Sequence, residues 1–299
     1  MEKQGLTASL FFDARDIVGE SLIYDDRSDS LVWVDIGGKR IHRLRLSDKR
    51  HENWPTPDFV TSIGLRADGG AIVGLRDRVA LWAFGGPFAP LAVIEPDLPD
   101  NRLNEGRVAP DGSFWVGTMQ NNLTPEGAPK TMTRDSGALY RVAPDGTVTQ
   151  LTPREFGIFN TMAWTRDNRF LCADTLKNTL YVYDWRNGAV TNKRVFAAAI
   201  ERGLPDGSCL DAHDALWNCR VAGGSSVAEF GPDGTLRRLI ELPCSWPTSC
   251  AFGADGFGTL FVTSARFTMT SEHLAAHVQE GGLFALDVGV RGRPQYRFG

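Results

Sequence analysis

Six times along this chain a turn built on Asp, Gly or Asn opens straight into an apolar run, and no other feature narrows the fold as much. The runs occupy residues 29–35, 68–75, 111–118, 167–174, 214–219 and 255–263. Turn residues supply the tight reversal, and an uninterrupted apolar run suits a strand buried on both faces. Starts recur every 40 to 55 residues or so, roughly the period of propeller blades. A second series follows at residues 40–46, 79–84, 138–142, 179–183, 227–230 and 282–286, with clearer apolar–polar alternation. That alternation is expected of strands farther from an axis. A third, more polar series follows, as at 147–151 and 235–241. With the strand that opens each repeat, the pattern predicts an all-β, six-bladed β-propeller with four-stranded blades.

Such a ring must be closed, or its end blades present open edges. Residues 9–13 precede Glu20 as an outer strand precedes the next blade, so the N-terminal strand is expected to complete the last blade. Residues 294–298 are its rival for that edge. Without a linker or a break in composition, residues 1–299 read as a single domain. Two excursions, 120–135 and 266–280, interrupt the repeat and read as lids over a site. The second is expected to hold a short helix at 271–277, capped by Ser271.

The openings of the repeats carry the chemistry. Counting back seven residues from the turn, eight in the fifth repeat, gives Thr61, Asn104, Asn160, Asp206 and Thr248. The first repeat, with a longer turn, offers Glu20. None of the six is apolar. Innermost strands of a propeller run along its channel, so these side chains are expected to converge on the axis at one end. Glu20, Asn160 and Asp206 then present two carboxylates and an amide oxygen, a set suited to a hard divalent cation. A cation would also relieve repulsion between the two acids. For any single opening the plainer account is a polar residue starting a strand; six in register argue for a site. Arg102, beside Asn104, offers planar donors suited to sugar oxygens or a developing carboxylate.

Composition removes other classes. The net charge is -4 with both signs interspersed, which gives no footprint for nucleic acid or an anionic membrane. No run of 18 apolar residues is present, and residues 1–4 lack a basic-then-apolar leader, so a cytoplasmic protein is expected. Five cysteines without a CxxC pair fit a reducing compartment. Cys209 and Cys219 lie in apolar strands and read as packing residues, as does Trp217. No Gly-x-Ser-x-Gly elbow occurs, and no His stands at an opening.

In order along the chain, Gly19-Glu20, Trp33-Val-Asp-Ile36, Asn101-Arg-Leu-Asn104, Phe114-Trp-Val-Gly-Thr-Met119, Ser136-Gly-Ala-Leu-Tyr140, Pro205-Asp-Gly207, Thr248-Ser-Cys-Ala-Phe-Gly253 and Thr263-Ser-Ala-Arg266 resemble the gluconolactonase/regucalcin group of sugar lactonases. The resemblance runs from about residue 10 to the C-terminus. It implies a six-bladed propeller holding one divalent metal ion, whether Ca, Zn, Mn or Mg, on Glu20, Asn160 and Asp206. It further implies substrate binding by Arg102 and Asn104, and hydrolysis of an aldonolactone to the open sugar acid. The metal would polarise the lactone carbonyl, with Asp206 as general base. Ser21-Leu22 and Thr161-Met162 depart from the family's usual Gly-Pro and Gly-Leu but leave the ligands intact. Asn122 stands near the place where some members put a substrate-contacting Glu, which bears on substrate identity. Arg134, on the first excursion, is the candidate for an anionic substituent. The expected partner is a small sugar lactone. Two further readings stand beside it: a metal-dependent esterase or phosphotriesterase-like propeller, and a non-catalytic calcium-binding propeller.

Overall fold

The computed structural model describes residues 7–299, so the reading of residues 1–4 as carrying no leader lies outside the described residues. After β1 (Ser9–Phe12), the first blade comprises β2 (Gly19–Asp25), β3 (Ser30–Asp35), β4 (Arg40–Arg45) and β5 (His51–Pro55). The second holds β6 (Val60–Leu65), β7 (Ala71–Leu75), β8 (Arg78–Trp82) and β9 (Phe88–Val93). The third holds β10 (Asn101–Val108), β11 (Phe114–Gln120), β12 (Leu139–Val142) and β13 (Val148–Gln150). The fourth holds β14 (Phe159–Trp164), β15 (Arg169–Asp174), β16 (Thr179–Arg186) and β17 (Ala189–Ala198). The fifth holds β18 (Leu204–Leu210), β19 (Leu216–Val221), β20 (Ser226–Phe230) and β21 (Leu236–Glu241). The sixth joins β22 (Pro247–Gly253), β23 (Thr259–Ser264) and β24 (Leu283–Leu286) to β1. Each blade is an antiparallel four-stranded sheet, and the six together make the predicted propeller.

Burial follows position within the blade. The second strands β3, β7, β11 and β19 are buried throughout. The third strand β4 alternates, and the outermost β13 is exposed at every residue. Six apolar clusters fill the seams between neighbouring blades, and Trp33, Trp82, Trp115 and Trp217 are among the largest fully buried side chains. Each large apolar side chain removed from water contributes roughly 1.5–3 kcal/mol, so the seams hold the ring together.

The N-terminal strand closes the ring: Ser9 pairs Ala285, Leu10 pairs Phe284 and Phe12 pairs Leu283. Its rival goes elsewhere. Residues 291–299 cross the end of the ring remote from the openings, where Gly292 bridges Asp211 of the fifth blade and Phe298 bridges Arg66 of the second. The short helix α1 (Ser271–Ala276) forms, but its cap is Thr270, whose hydroxyl accepts the His273 amide at 3.1 Å. Ser271, expected as the cap, is instead the first helical residue, because Thr270 holds the extended backbone a cap needs.

Candidate metal centre on the propeller axis

Every innermost strand breaks its ladder at the opening. Pairing shifts between Glu20 and Ile23, Val60 and Ser62, Leu103 and Gly106, Asn160 and Met162, Pro205 and Ser208, and Pro247 and Cys250. Such bulges re-aim a side chain, which is how strands buried on both faces can offer a polar group to the channel. The bends are tight. Ser21 and Thr161 hold φ of 51° and 58°, sparsely populated for residues with a Cβ and most costly for a β-branched one. At Gly207 a Cβ would stand 2.8 Å from Thr248 O, so only glycine lets the fifth and sixth inner strands approach this closely.

Glu20, Arg102, Asn104, Asn122, Asn160, Asp206 and Thr248 all line one cavity of ≈ 100 Å³ on the axis. Thr61 does not; its hydroxyl donates back to Gly74 O of its own blade, at 3.3 Å. Arg134 is also elsewhere. Its guanidinium meets Asp100 Oδ2 at 3.4 Å, and the side chain is 43% exposed. A surface ion pair therefore occupies the arginine expected to meet an anionic substituent.

A continuous arc of hydrogen bonds fixes the polar floor. Arg102 donates to Asn122 Oδ1 (2.8 Å), Asn104 Oδ1 (2.7 Å) and Leu103 O (2.8 Å). Asn104 Nδ2 donates to Asn160 Oδ1 at 2.9 Å, and Asn160 Nδ2 donates to Thr175 Oγ1 at 2.9 Å. Thr175 then donates to Pro205 O, next to Asp206, at 2.7 Å. Because its amide nitrogen is engaged, Asn160 must point its oxygen the other way. From the opposite side the Thr248 hydroxyl donates to Gly19 O, next to Glu20. Thr161 and Asn218 both donate to the backbone carbonyl of Asp206.

The carboxylates are electrostatically unhappy as they stand. Burial, then the negative charges of Asp206 and Glu105, push the Glu20 pKa well up. Burial, then Glu105, do the same to Asp206. Burial pushes Arg102 down to about 10, opposed by Glu20 and Asp206. Two buried acids that resist ionising, beside an amide oxygen held in place, fit a hard divalent cation, which would supply the missing positive charge.

Several contributors were not anticipated. Thr175, the link from Asn160 to the fifth blade, directly follows β15. Trp246 and Phe267, packed edge to face at 6.1 Å, join Val18, Ile36, Met119 and Leu123 in an apolar wall above the floor. Their signal was position: Trp246 directly precedes β22, and Phe267 stands three residues beyond the end of β23. Of the two excursions, the first sends Asn122 and Leu123 to the cavity, while the second sends Phe267 and keeps α1 outside its lining. One tier below the floor Glu105 accepts from Arg107 Nε at 2.9 Å, both side chains buried.

Asp16, Asp35 and His42 form a second buried group of possible ligands, within the first blade. Asp35 is saturated there by the amides of Val18 and Gly38 and by Arg40. Asp16 accepts from Trp33 Nε1 at 2.7 Å and faces His42 Nε2 at 3.2 Å. The group ties the segment after β1 to the first blade and stands apart from the axial lining.

An axial oxygen-donor centre on a six-bladed propeller is thus the class of protein that fold and site define. The chain belongs to the SMP-30/gluconolactonase/LRE-like family, whose model matches residues 18–266. It is 33% identical to an L-arabinolactonase of Azospirillum brasilense, over 97% of this chain and 95% of that one. It is 32% identical to human regucalcin, with 94% of each chain covered. Among solved structures it matches a calcium-binding protein, regucalcin, of Agrobacterium tumefaciens with a TM-score of 0.90 and 27% identity, covering 99% and 98% of the two chains.

Proposed function

We propose that this protein hydrolyses a sugar-acid lactone to its open-chain aldonate at the axial cavity, with one divalent cation held by Glu20, Asn160 and Asp206. The convergence of those three oxygen donors with Arg102 and Asn104 on one cavity carries the reading. Family membership and likeness to an L-arabinolactonase support it. When bound, the cation acts as a Lewis acid that polarises the lactone carbonyl.

The chain's own groups do the rest. Asp206, whose backbone is fixed by Thr161 and Asn218, takes the proton of the attacking water. Arg102 and Asn104 orient the ring oxygens, and Asn122 buttresses Arg102 from the first excursion. The wall of Trp246, Phe267 and Leu123 keeps bulk water from the floor and offers an apolar surface to the ring's C–H face. The same cavity would accept a simple ester; which lactone is preferred is a matter of fit to the wall. Five free thiols agree with a cytoplasmic location. Among the described residues no helix is long and apolar enough to cross a membrane.

A pH-indicator assay over a panel of aldonolactones and simple esters, with Ca²⁺, Mg²⁺, Mn²⁺ or Zn²⁺ added in turn, tests the proposal. Turnover is expected for at least one lactone, abolished by chelation and lowered about 10³-fold by Asp206→Ala. Undiminished turnover in that variant would sink the mechanism. A wild type that binds cation yet opens nothing in the panel would favour a calcium-binding role, as in the regucalcin it resembles.

A further inference from the structure

Three cysteines meet at the seam of the fifth and sixth blades, toward the end of the axis remote from the floor, and lactone hydrolysis uses none of them. Cys209 on β18 and Cys250 on β22 bring their sulfurs to 3.5 Å across the blade boundary. That separation is van der Waals contact for two sulfurs, and a small rotation of either side chain would bring them to bonding distance. Cys219 packs beside them. Cys209 lines a second cavity, of ≈ 50 Å³, which opens at the far end of the ring among Arg107, Trp164, Arg293 and Tyr296. Cys209 is 8% exposed, and Cys250 behind it is fully covered. The pair is therefore an outer cysteine at the wall of the cavity and an inner one covered on every side.

The electrostatics favour reaction. Burial opposes ionisation of Cys250, but hydrogen bonds from Cys209 and Cys219 and the Arg107 charge outweigh it and bring its pKa well down. Burial, then the hydrogen bond and charge of Cys250, push Cys209 well up, so the two thiols ionise as a unit, and a proton passing across the S···S contact moves the charge to Cys209 beside the cavity. Cys219 is pushed well up too, and burial does the same to Cys172 and Cys244. Sensitive thiols combine thiolate character, access and a resolving partner, and this pair divides them between two sulfurs in contact, the lowered pKa on Cys250 and the cavity at Cys209.

We propose that Cys209 and Cys250 are an oxidation site for hydrogen peroxide entering through the far-end cavity, which closes a disulfide between the fifth and sixth blades. The Cys209 thiolate attacks one peroxide oxygen, the O–O bond breaks, and hydroxide leaves and takes a proton to become water. Cys209 is then a sulfenic acid. Cys250 attacks its sulfur, the S–S bond forms, and the S–OH oxygen departs with the Cys250 proton as a second water. In sum two thiols and one peroxide give one disulfide and two waters.

The test is a thiol map of the full-length wild type, which needs no variant to fold. The protein is exposed to a small excess of hydrogen peroxide, alkylated in denaturant and digested with trypsin. The expectation is a fall from five free thiols to three, 5 − 2, with peptides 203–220 and 239–266 joined. Each peptide holds two cysteines, so fragment ions must place the bond at Cys209 and Cys250. Cys172→Ala should keep the bridge, and Cys209→Ser should lose it. Five thiols surviving, a bridge through Cys219 or Cys244, or sulfinic acid on Cys209 without a bridge would each overturn the proposal.

Discussion

The two ends of the propeller axis are built from the same six strands and could hardly differ more. At one end, bulged openings turn Glu20, Asn104, Asn160, Asp206 and Thr248 into a cavity whose two acids stay pushed up although Arg102 lines it with them. At the other, residues 291–299 lie across the ring and nearly every charge has a partner. Arg293 meets Asp214 at 3.0 Å and donates to Trp164 O, and Arg297 joins Asp25 and Asp26 of the first blade at 2.8 and 2.6 Å. The amide of Phe298 donates to Leu65 O, and that of Gly299 to Gly112 O. One end is satisfied and crossed by chain, with only the small cavity beside Cys209 left in it, and the other is frustrated and open. Stored electrostatic stress at one end of an otherwise saturated ring is what a binding site looks like before its ligand arrives.

Between the ends sits the Glu105–Arg107 pair, and it offers the hardest blow to this contrast. Arg107 also donates to Leu22 O at 3.1 Å and to Ser249 Oγ at 3.3 Å, so one guanidinium links the third, first and sixth blades. Burial raises the Glu105 pKa, and Arg107 opposes that rise. Glu105→Gln leaves an uncompensated buried cation, at a cost of about 3–5 kcal/mol, as is usual when one member of a buried pair is removed. Urea unfolding of the variant against wild type measures it. A loss below about 1 kcal/mol would mean that water reaches the pair and that the channel is not divided at this tier.

The next test concerns the open end alone. With no cation present, Glu20 and Asp206 have folded pKa values raised above their ordinary 4.5 and 3.8. A raised acid holds more protons folded than unfolded, so its stability contribution is full below about pH 4 and lost as pH rises through the folded value. Chelated protein should therefore weaken on going from pH 4.5 towards 8. Divalent cation at a hundred times its Kd should restore about 2.7 kcal/mol at the upper end, and less at the lower, where protons compete. Denaturant midpoints with and without chelator across that range decide it. A cation effect that is absent, or equal at both pH values, would remove the axial acids as ligands.

How much of this was legible in the sequence follows from which forces act locally. Blade count, strand order and ring closure by residues 9–12 were readable because alternation and turn chemistry are local signals, repeated six times. Five of the six openings reached the cavity because register within a repeat carries a side chain to the same height on the axis. Thr61 shows the limit: a short hydroxyl finds a nearer acceptor on Gly74, and no period reveals that. Arg134 shows another, since a loop arginine goes to whichever carboxylate folding brings near, here Asp100. The arc through Thr175 and the wall of Trp246 and Phe267 depend on contacts between blades. Ser21 and Thr161 were seen as departures, yet only backbone angles reveal that each sits where glycine would be at ease.

The smallest expected effect is at the end crossed by residues 291–299. Arg297 bridges two aspartates, but Asp26 is largely in water and Asp25, though better covered, also accepts from Ser28 Oγ at 2.6 Å. Its acid is held below the usual range by Ser28 and Arg297, against the opposing effect of burial. Ion pairs this near the surface are worth about 0–1 kcal/mol each, so Arg297→Ala should cost about 1 kcal/mol in urea unfolding. Lactone turnover and cation affinity should stay within twofold of wild type, because the residue lies across the ring from the floor. A variant that kept its stability but lost turnover tenfold would show the two ends to be coupled through the inner strands. The Glu105–Arg107 tier would then be a transmitter between them, and no longer a partition.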